Sequence, residues 1–279
     1  MRYIILGSQG FIGTGISKYL KKRKVEIVKL TKISSDLYSD IRNNDVIINC
    51  FGKENRNDII KNINKFINLL RIKKKNISWI QLSTPLIYNQ QVSSSKISEN
   101  TNEVPFNDYA KTKKIFDSYL KKKKNDNFHF LILRISTVYD KSMKSKVFKK
   151  IKFLNKFKLL PLINNKDTII NYLSLNELNQ YIYQLSKKKK SWNNIFLISQ
   201  NIKLVDLLET IKPEPNNYAL SFLINKIFLK FINLFFLILK EKILFLKNKN
   251  VMQNNYVKKF IKIENKDLSN NKIKKFLRS

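Results

Sequence analysis

The chain has 279 residues, enough for one large domain or one domain with a small appendage. Its formal charge is +35, but the lysine runs at 73–75, 121–124 and 187–190 are scattered along a sequence with only two alanines, Ala110 and Ala219. That is the look of a genome poor in G and C, so the charge reads as solvated surface rather than a nucleic-acid face, while still attracting anionic ligands. The single cysteine, Cys50, excludes a disulfide framework and a Cys-rich metal site. No apolar leader precedes the first strand, which predicts a cytoplasmic protein.

Four of the five glycines, Gly7, Gly10, Gly13 and Gly15, fall within nine residues. Before them Tyr3 to Leu6 is a short apolar run, read as a buried strand. After them Ile12, Ile16, Tyr19 and Leu20 recur at helical spacing, with Lys18, Lys21 and Lys22 on the other face. In a strand–glycine–helix order the backbone can turn tightly and approach a pyrophosphate, and the free N–H groups of the helix start meet its charge. The spacing is G-x-x-G-x-x-G.

Val25 to Leu30 reads as a second strand. At its end stand Thr31 and Lys32, where an acid would hold the adenosine ribose of NAD and a cation would accommodate the 2′-phosphate of NADP. The cofactor stays open between the two, leaning to NADP. Asp45 to Phe51, D-V-I-I-N-C-F, is a near-continuous apolar run, suited to a central parallel strand and ended by Gly52. Residues 59, 60, 63, 66, 67 and 70 mark a helix. Ile77 to Leu82 is a strand leading to Ser83 and Thr84. Phe128 to Ile135 is another strand; it contains the one histidine, His129, which reads as structural. Leu173 to Leu185 reads as a helix opening on a Ser174/Glu177 capping box. Asn194 to Ile198 is a late strand and Leu204 to Ile211 a short helix. Asn164 to Tyr172 and Pro213 to Asn217 read as loops. Strands alternating with helices predict an α/β fold, a Rossmann-like doubly wound parallel sheet with a smaller, mostly helical C-terminal substrate lobe. The expected division is a cofactor domain over 1–165, its sheet completed by 173–211, and a substrate lobe over 166–279.

Tyr109 and Lys113 stand four apart at the start of a helix, hence on one face. A tyrosine loses its proton near pH 10, so acting as a base near neutrality requires about 4 kcal/mol of added preference for the anion. A neighbouring ammonium and a cationic nicotinamide ring can supply it. Lys113 would also hold the nicotinamide ribose, and Thr84, beside Ser83, would bond the reacting oxygen. The same spacing recurs at Tyr119/Lys123 and Tyr183/Lys187, but without a glycine turn, a strand-end Ser/Thr and a loop in the right order before it.

These pieces, in order, resemble the extended short-chain dehydrogenase/reductases, in particular the NAD-dependent epimerase/dehydratase family that acts on nucleotide sugars. The matching stretches are G-S-Q-G-F-I-G, D-V-I-I-N-C-F-G, L-S-T-P-L-I-Y, the run ending D-Y-A-K-T-K, L-R-I-S-T-V-Y and N-Y-L-S-L-N-E-L, spanning about residues 1 to 212. The resemblance implies catalytic Thr84, Tyr109 and Lys113. It implies a cofactor site of Gly7, Gln9, Gly10, Phe11, Ile12 and Gly13, with Thr31 and Lys32, Phe51 and Gly52, and Ser83 and Lys113. No metal is implied. Dehydratases of the family carry an Asp-Glu pair where Pro85 and Leu86 stand here, so a 4,6-dehydratase is not expected. The usual Asn-Val-Tyr-Gly-Pro reads Thr137-Val138-Tyr139-Asp140-Lys141, a departure near the nucleotide-sugar contacts. What remains is a nucleotide-sugar epimerase, a keto-sugar reductase of the same family, or a non-catalytic dinucleotide sensor.

Residues 219–246 are the most apolar part of the chain. Lys226, Lys230, Asn233 and Lys240 form one helical stripe, which predicts an amphipathic segment rather than a span. It would cap the substrate lobe, form the contact of a homodimer or lie on a membrane surface. The tail 251–279 is polar, anchored by Phe260 and Phe276.

Overall fold

The computed structural model describes residues 1–31, 41–51, 64–65, 67–68, 75–88, 96–140, 168–203, 206, 250–261 and 263. The expected helix over 204–211 (apart from residue 206), the loop at 213–217, the segment 219–246, and the residues Lys32, Gly52 and Phe276 lie outside them.

The main sheet contains β1 (Tyr3–Leu6), β2 (Ile27–Leu30), β3 (Asp45–Asn49), β4 (Ile77–Ser83), β6 (Phe128–Ile135) and β9 (Asn194–Ile198), in the order β2-β1-β3-β4-β6-β9. Every neighbouring pair is parallel. β1 and β3 are buried at every position, as expected of strands covered on both faces. Alternation divides their side chains: Tyr3 and Ile5 join one apolar cluster with Val46 and Ile48, while Ile4 and Leu6 join another with Ile47.

The first face is covered by α1 (Phe11–Lys22) and α3 (Leu175–Ser186), which contribute Ile16, Leu20, Leu178 and Ile182. The second is covered by α2 (Asp108–Lys123), through Phe116 and Leu120. Trp79 and Phe128, 0% and 1% exposed, fill the second layer. Burying an aromatic or aliphatic side chain of this size contributes roughly 1.5–3 kcal/mol, so these contacts hold the helices to the sheet.

Residues 169–172 are strand, not the loop expected from the sequence. β8 (Ile169–Ser174) pairs in parallel with β7 (Thr137–Tyr139) and antiparallel with β10 (Gln200–Lys203), forming a three-stranded sheet. The strand runs to Ser174, so α3 begins at Leu175 rather than Leu173. The capping box is present: Glu177 N–H donates to Ser174 Oγ at 3.2 Å and Ser174 N–H to Glu177 Oε2 at 3.1 Å. In the tail, β11 (Val251–Met252) pairs with β5 (Lys96–Ile97), and α4 (Asn255–Phe260) follows. Phe260 is an anchor as expected, its ring centroid 4.9 Å from that of Phe196.

Candidate active site

The order β2-β1-β3 means the chain leaves β1 for one side and returns on the other. The crevice at the carboxyl ends of β1 and β3 is therefore the topological switch point, where ligands of open α/β sheets bind. Both strands end on this crevice, β1 in Gly7 and β3 in Cys50 and Phe51.

Gly7 has φ +73°, a conformation that disfavours any side chain. Its N–H and that of Ser8 both donate to Leu30 O, at 2.8 and 3.1 Å, pinning the turn to the end of β2. Gly13 packs so closely on the turn that a Cβ there would lie 2.3 Å from Gly7 O. Gly15 meets the side chain of Leu175, so the fourth glycine serves the α1–α3 contact. Gly10 caps α1 without a side-chain bond, and the first turn holds no acid. The first N–H groups of α1 are thus not capped by a side chain, and the close glycine backbone leaves room for a pyrophosphate. A dinucleotide fits this cradle.

Lys113 is brought from α2 to the same crevice. Its ammonium donates to Leu82 O at 2.9 Å and to Phe51 O at 3.3 Å, and lies 5.8 Å from the centroid of the Tyr109 ring. Lys113 is buried and Tyr109 half-buried. Thr84, also buried, accepts from Leu86 N–H at 3.3 Å and caps a single 3-10 turn, Pro85–Ile87. That turn packs on α2, and Phe106 N–H donates to Leu86 O at 3.1 Å. Thr84 and the start of α2 are thereby tied together. Thr31 lies exposed at the end of β2.

The two other Tyr-x-x-x-Lys pairs are elsewhere. Tyr183 and Lys187 bond each other at the exposed end of α3, near Arg23 at the far end of α1 from the glycine turn. Lys123 sits over the Tyr119 ring, and the Tyr119 hydroxyl donates to Asn64 O at 3.2 Å.

Sequence reasoning missed the charged layer under this crevice. Ser83 Oγ donates not toward the crevice but to Asp117 Oδ2 at 2.9 Å. Arg134, 0% exposed, donates through Nε to the same oxygen at 3.3 Å, through one terminal nitrogen to the Tyr88 hydroxyl at 2.6 Å, and through the other to Glu103. Burial pulls against the Arg134 charge, but Tyr88, Asp117 and Glu103 outweigh it and hold the guanidinium charged. Asp117 is itself buried, and desolvation raises its carboxyl to about 6 despite Arg134, Ser83 and Lys113. One signal in the sequence could have found it: Asp117 follows Tyr109 and Lys113 at the same four-residue step, on the same stripe of α2.

A parallel sheet with a glycine turn at its switch point and a Tyr/Lys helix beside it defines a Rossmann-like domain of the short-chain dehydrogenase/reductase type. The model of the NAD dependent epimerase/dehydratase family matches residues 3–183, and the chain belongs to that family. No curated protein is similar enough in sequence to match. Among solved structures, the chain is similar to UDP-N-acetylglucosamine 4-epimerase from Methanobrevibacter ruminantium M1 in complex with UDP-N-acetylmuramic acid (12% identity, 99% of this chain and 97% of that one, TM-score 0.68). It is also similar to RMD from Pseudomonas aeruginosa complexed with NADPH (13%, 100% of both chains, 0.62). A third is UDP-glucose 4-epimerase from Thermotoga maritima with UDP-glucose (15%, 76% and 82%, 0.59). At these identities the likeness is one of fold. Among the described residues, no helix is long and apolar enough to cross a membrane.

Proposed function

We propose that this chain is an NAD(P)-dependent nucleotide-sugar epimerase in which Tyr109 is the general acid/base. The observation that carries the reading is Lys113: of the lysines in the three Tyr-x-x-x-Lys pairs, it alone reaches the carbonyls that end β3 and β4, and it stands beside its tyrosine there. A bound nicotinamide dinucleotide supplies the hydride acceptor and donor. Gly7, Gly10 and Gly13 hold its pyrophosphate against the start of α1. The Lys113 ammonium favours the Tyr109 phenolate through its charge and is placed to hold a ribose hydroxyl. Tyr109 takes the proton of the sugar hydroxyl as the carbinol is oxidised and returns it on reduction. Thr84 offers its hydroxyl to the same sugar oxygen. Pro85 and Leu86 provide no carboxyl beyond Thr84, so elimination is not part of the reading.

The substrate class, a nucleotide sugar, is carried over from the family and from neighbours solved with UDP-sugars. A second reading, a keto-sugar reductase using NADP, is favoured by Thr31, rather than an acid, at the end of β2. The protein is expected to work without nucleic acid. A homodimer or a membrane-surface contact through 219–246 belongs to the same proposal.

Tyr109→Phe is the test. Turnover of a UDP-sugar panel should fall by about 10²–10⁴-fold, the usual contribution of a positioned acid/base, while dinucleotide binding by calorimetry stays unchanged. Unchanged turnover would move the chemistry to another group or leave only a dinucleotide-binding sensor.

A further inference from the structure

We propose that Arg134 is a positioning residue: it fixes how Thr84 stands relative to Tyr109, the two hydroxyls that must meet on one sugar oxygen. The inference rests on the reading above that Tyr109 moves the proton and Thr84 assists it. Arg134 acts on both through their neighbours.

Each arm of the guanidinium holds a different element. Nε donates to Asp117 Oδ2 at 3.3 Å, and the same oxygen accepts from Ser83 Oγ at 2.9 Å. Ser83 immediately precedes Thr84, and Asp117 stands about two turns past Tyr109 on α2. One terminal nitrogen donates to the Tyr88 hydroxyl at 2.6 Å, and the guanidinium carbon lies 5.0 Å from the centroid of that ring. Tyr88 closes the 3-10 turn that Thr84 opens. The other terminal nitrogen donates to Glu103, whose own carbonyl accepts from Lys114 of α2 at 2.7 Å. Glu103 stands on the stretch of chain that leads into α2. One planar group thus grips the chain before and after Thr84, and before and after Tyr109.

Packing alone does not call for a charge at this place. On the same face of β6, Phe130 and Ile132 precede Arg134 in the apolar layer under α2. Replacing a buried ion pair by apolar side chains of similar volume is often neutral or stabilising. An apolar side chain at 134 would hold the strand to the helix, but it could not bond three elements at once. The rigid five-donor fork of an arginine can, whereas a lysine offers a single point charge on a flexible stem. The far anchor is itself fixed: Tyr88 is buried in a cluster with Ile97 of β5, Leu197 of β9 and Met252 of β11, and Leu197 N–H donates to Glu99 Oε1 at 2.9 Å. A second buried pair lies at the other end of the sheet. Arg2, just before β1, donates through Nε to Asp45 Oδ1 at 3.0 Å and through a terminal nitrogen to Asp45 Oδ2 at 2.6 Å, at the amino end of β3. Loosening it costs stability without reaching the crevice.

Turnover of the UDP-sugar panel is measured for wild type, Arg134→Lys, Tyr88→Phe, Arg2→Lys, Tyr109→Phe and the Arg134→Lys/Tyr109→Phe double variant. Circular dichroism checks folding and calorimetry the dinucleotide affinity. Arg134→Lys should lower kcat by about 10–10²-fold, as a misplacement on the order of 1 Å does, with KM and dinucleotide affinity little changed. Tyr88→Phe keeps the ring and loses one anchor of the fork, so kcat should fall by less. On the Tyr109→Phe background, Arg134→Lys should cost almost nothing further, because the group it positions is gone. Arg2→Lys should lower the urea midpoint and leave kcat of the folded protein as in wild type. Unchanged kcat in folded Arg134→Lys, a full further loss on the Tyr109→Phe background, or an equal loss in Arg2→Lys overturns the inference while Tyr109 keeps its role. An Arg134→Lys chain that does not fold leaves Tyr88→Phe, alone and on the Tyr109→Phe background, to decide by the same outcomes. Turnover unaffected by Tyr109→Phe, or absent from the folded wild type, overturns both.

Discussion

Asp117→Asn removes one proton-binding site from the layer under the crevice. The Asp117 carboxyl is raised from the ordinary 3.8 to about 6, first by burial, so the folded chain holds this proton more tightly than the unfolded chain. The stability due to this proton is fully present below about pH 4 and is lost as pH rises through about 6. The difference between those two values corresponds to about 3 kcal/mol, of which about 1 kcal/mol falls between about pH 7.5 and about pH 5. Glu177, also raised by burial, adds a change of the same sign, and half-buried Glu103, lowered through Arg134, acts only in stronger acid. Comparing wild type with the asparagine variant cancels both. An asparagine can still accept from Ser83, and Arg134 keeps Glu103 and Tyr88. Urea unfolding followed by circular dichroism at the two pH values should show wild type gaining about 1 kcal/mol more than the variant on acidification, a few tenths of a molar in midpoint. Parallel behaviour of the two proteins would refute the assignment of the proton to Asp117.

Gly13→Ala should destabilise the chain by about 1–3 kcal/mol and weaken dinucleotide binding at least ~10-fold, because its Cβ would strike backbone that cannot yield. Gly10→Ala, whose nearest atom would be 3.3 Å away, is the milder control, and a thermal melt with calorimetry separates them. Ser174→Ala should cost about 1 kcal/mol through loss of the α3 cap, read as a lower urea midpoint with the dinucleotide affinity intact.

The parts of the fold that were legible in the sequence are those dictated locally. Predominantly apolar runs announced β1, β3, β4 and β6, because strands covered on both faces lack the regular polar alternation of a half-exposed strand. The glycine turn was legible because backbone crowding leaves glycine no substitute at residue 13. The three-stranded sheet was not: β7 is three residues long, and β8 carries Asn171 and Tyr172 in a stretch that reads as loop. Its stability comes from pairing with β10, which follows only after α3 and β9 have been laid down. The Arg134 layer was hidden for the same reason. Asp117 and Glu103 stand 17 and 31 residues before Arg134, and only the packing of α2 on β4 and β6 brings them together.

Lys113 is also a crossbeam. By leaning on Leu82 O near the end of β4 and Phe51 O just past the end of β3, its ammonium braces the floor on which any dinucleotide would rest. A chain that had given up the reaction would still need that brace, so Lys113 serves the architecture as well as the proposed chemistry. Whether a descendant of this protein still performs chemistry is better judged from the phenol at 109, the group that moves the proton in the scheme proposed above.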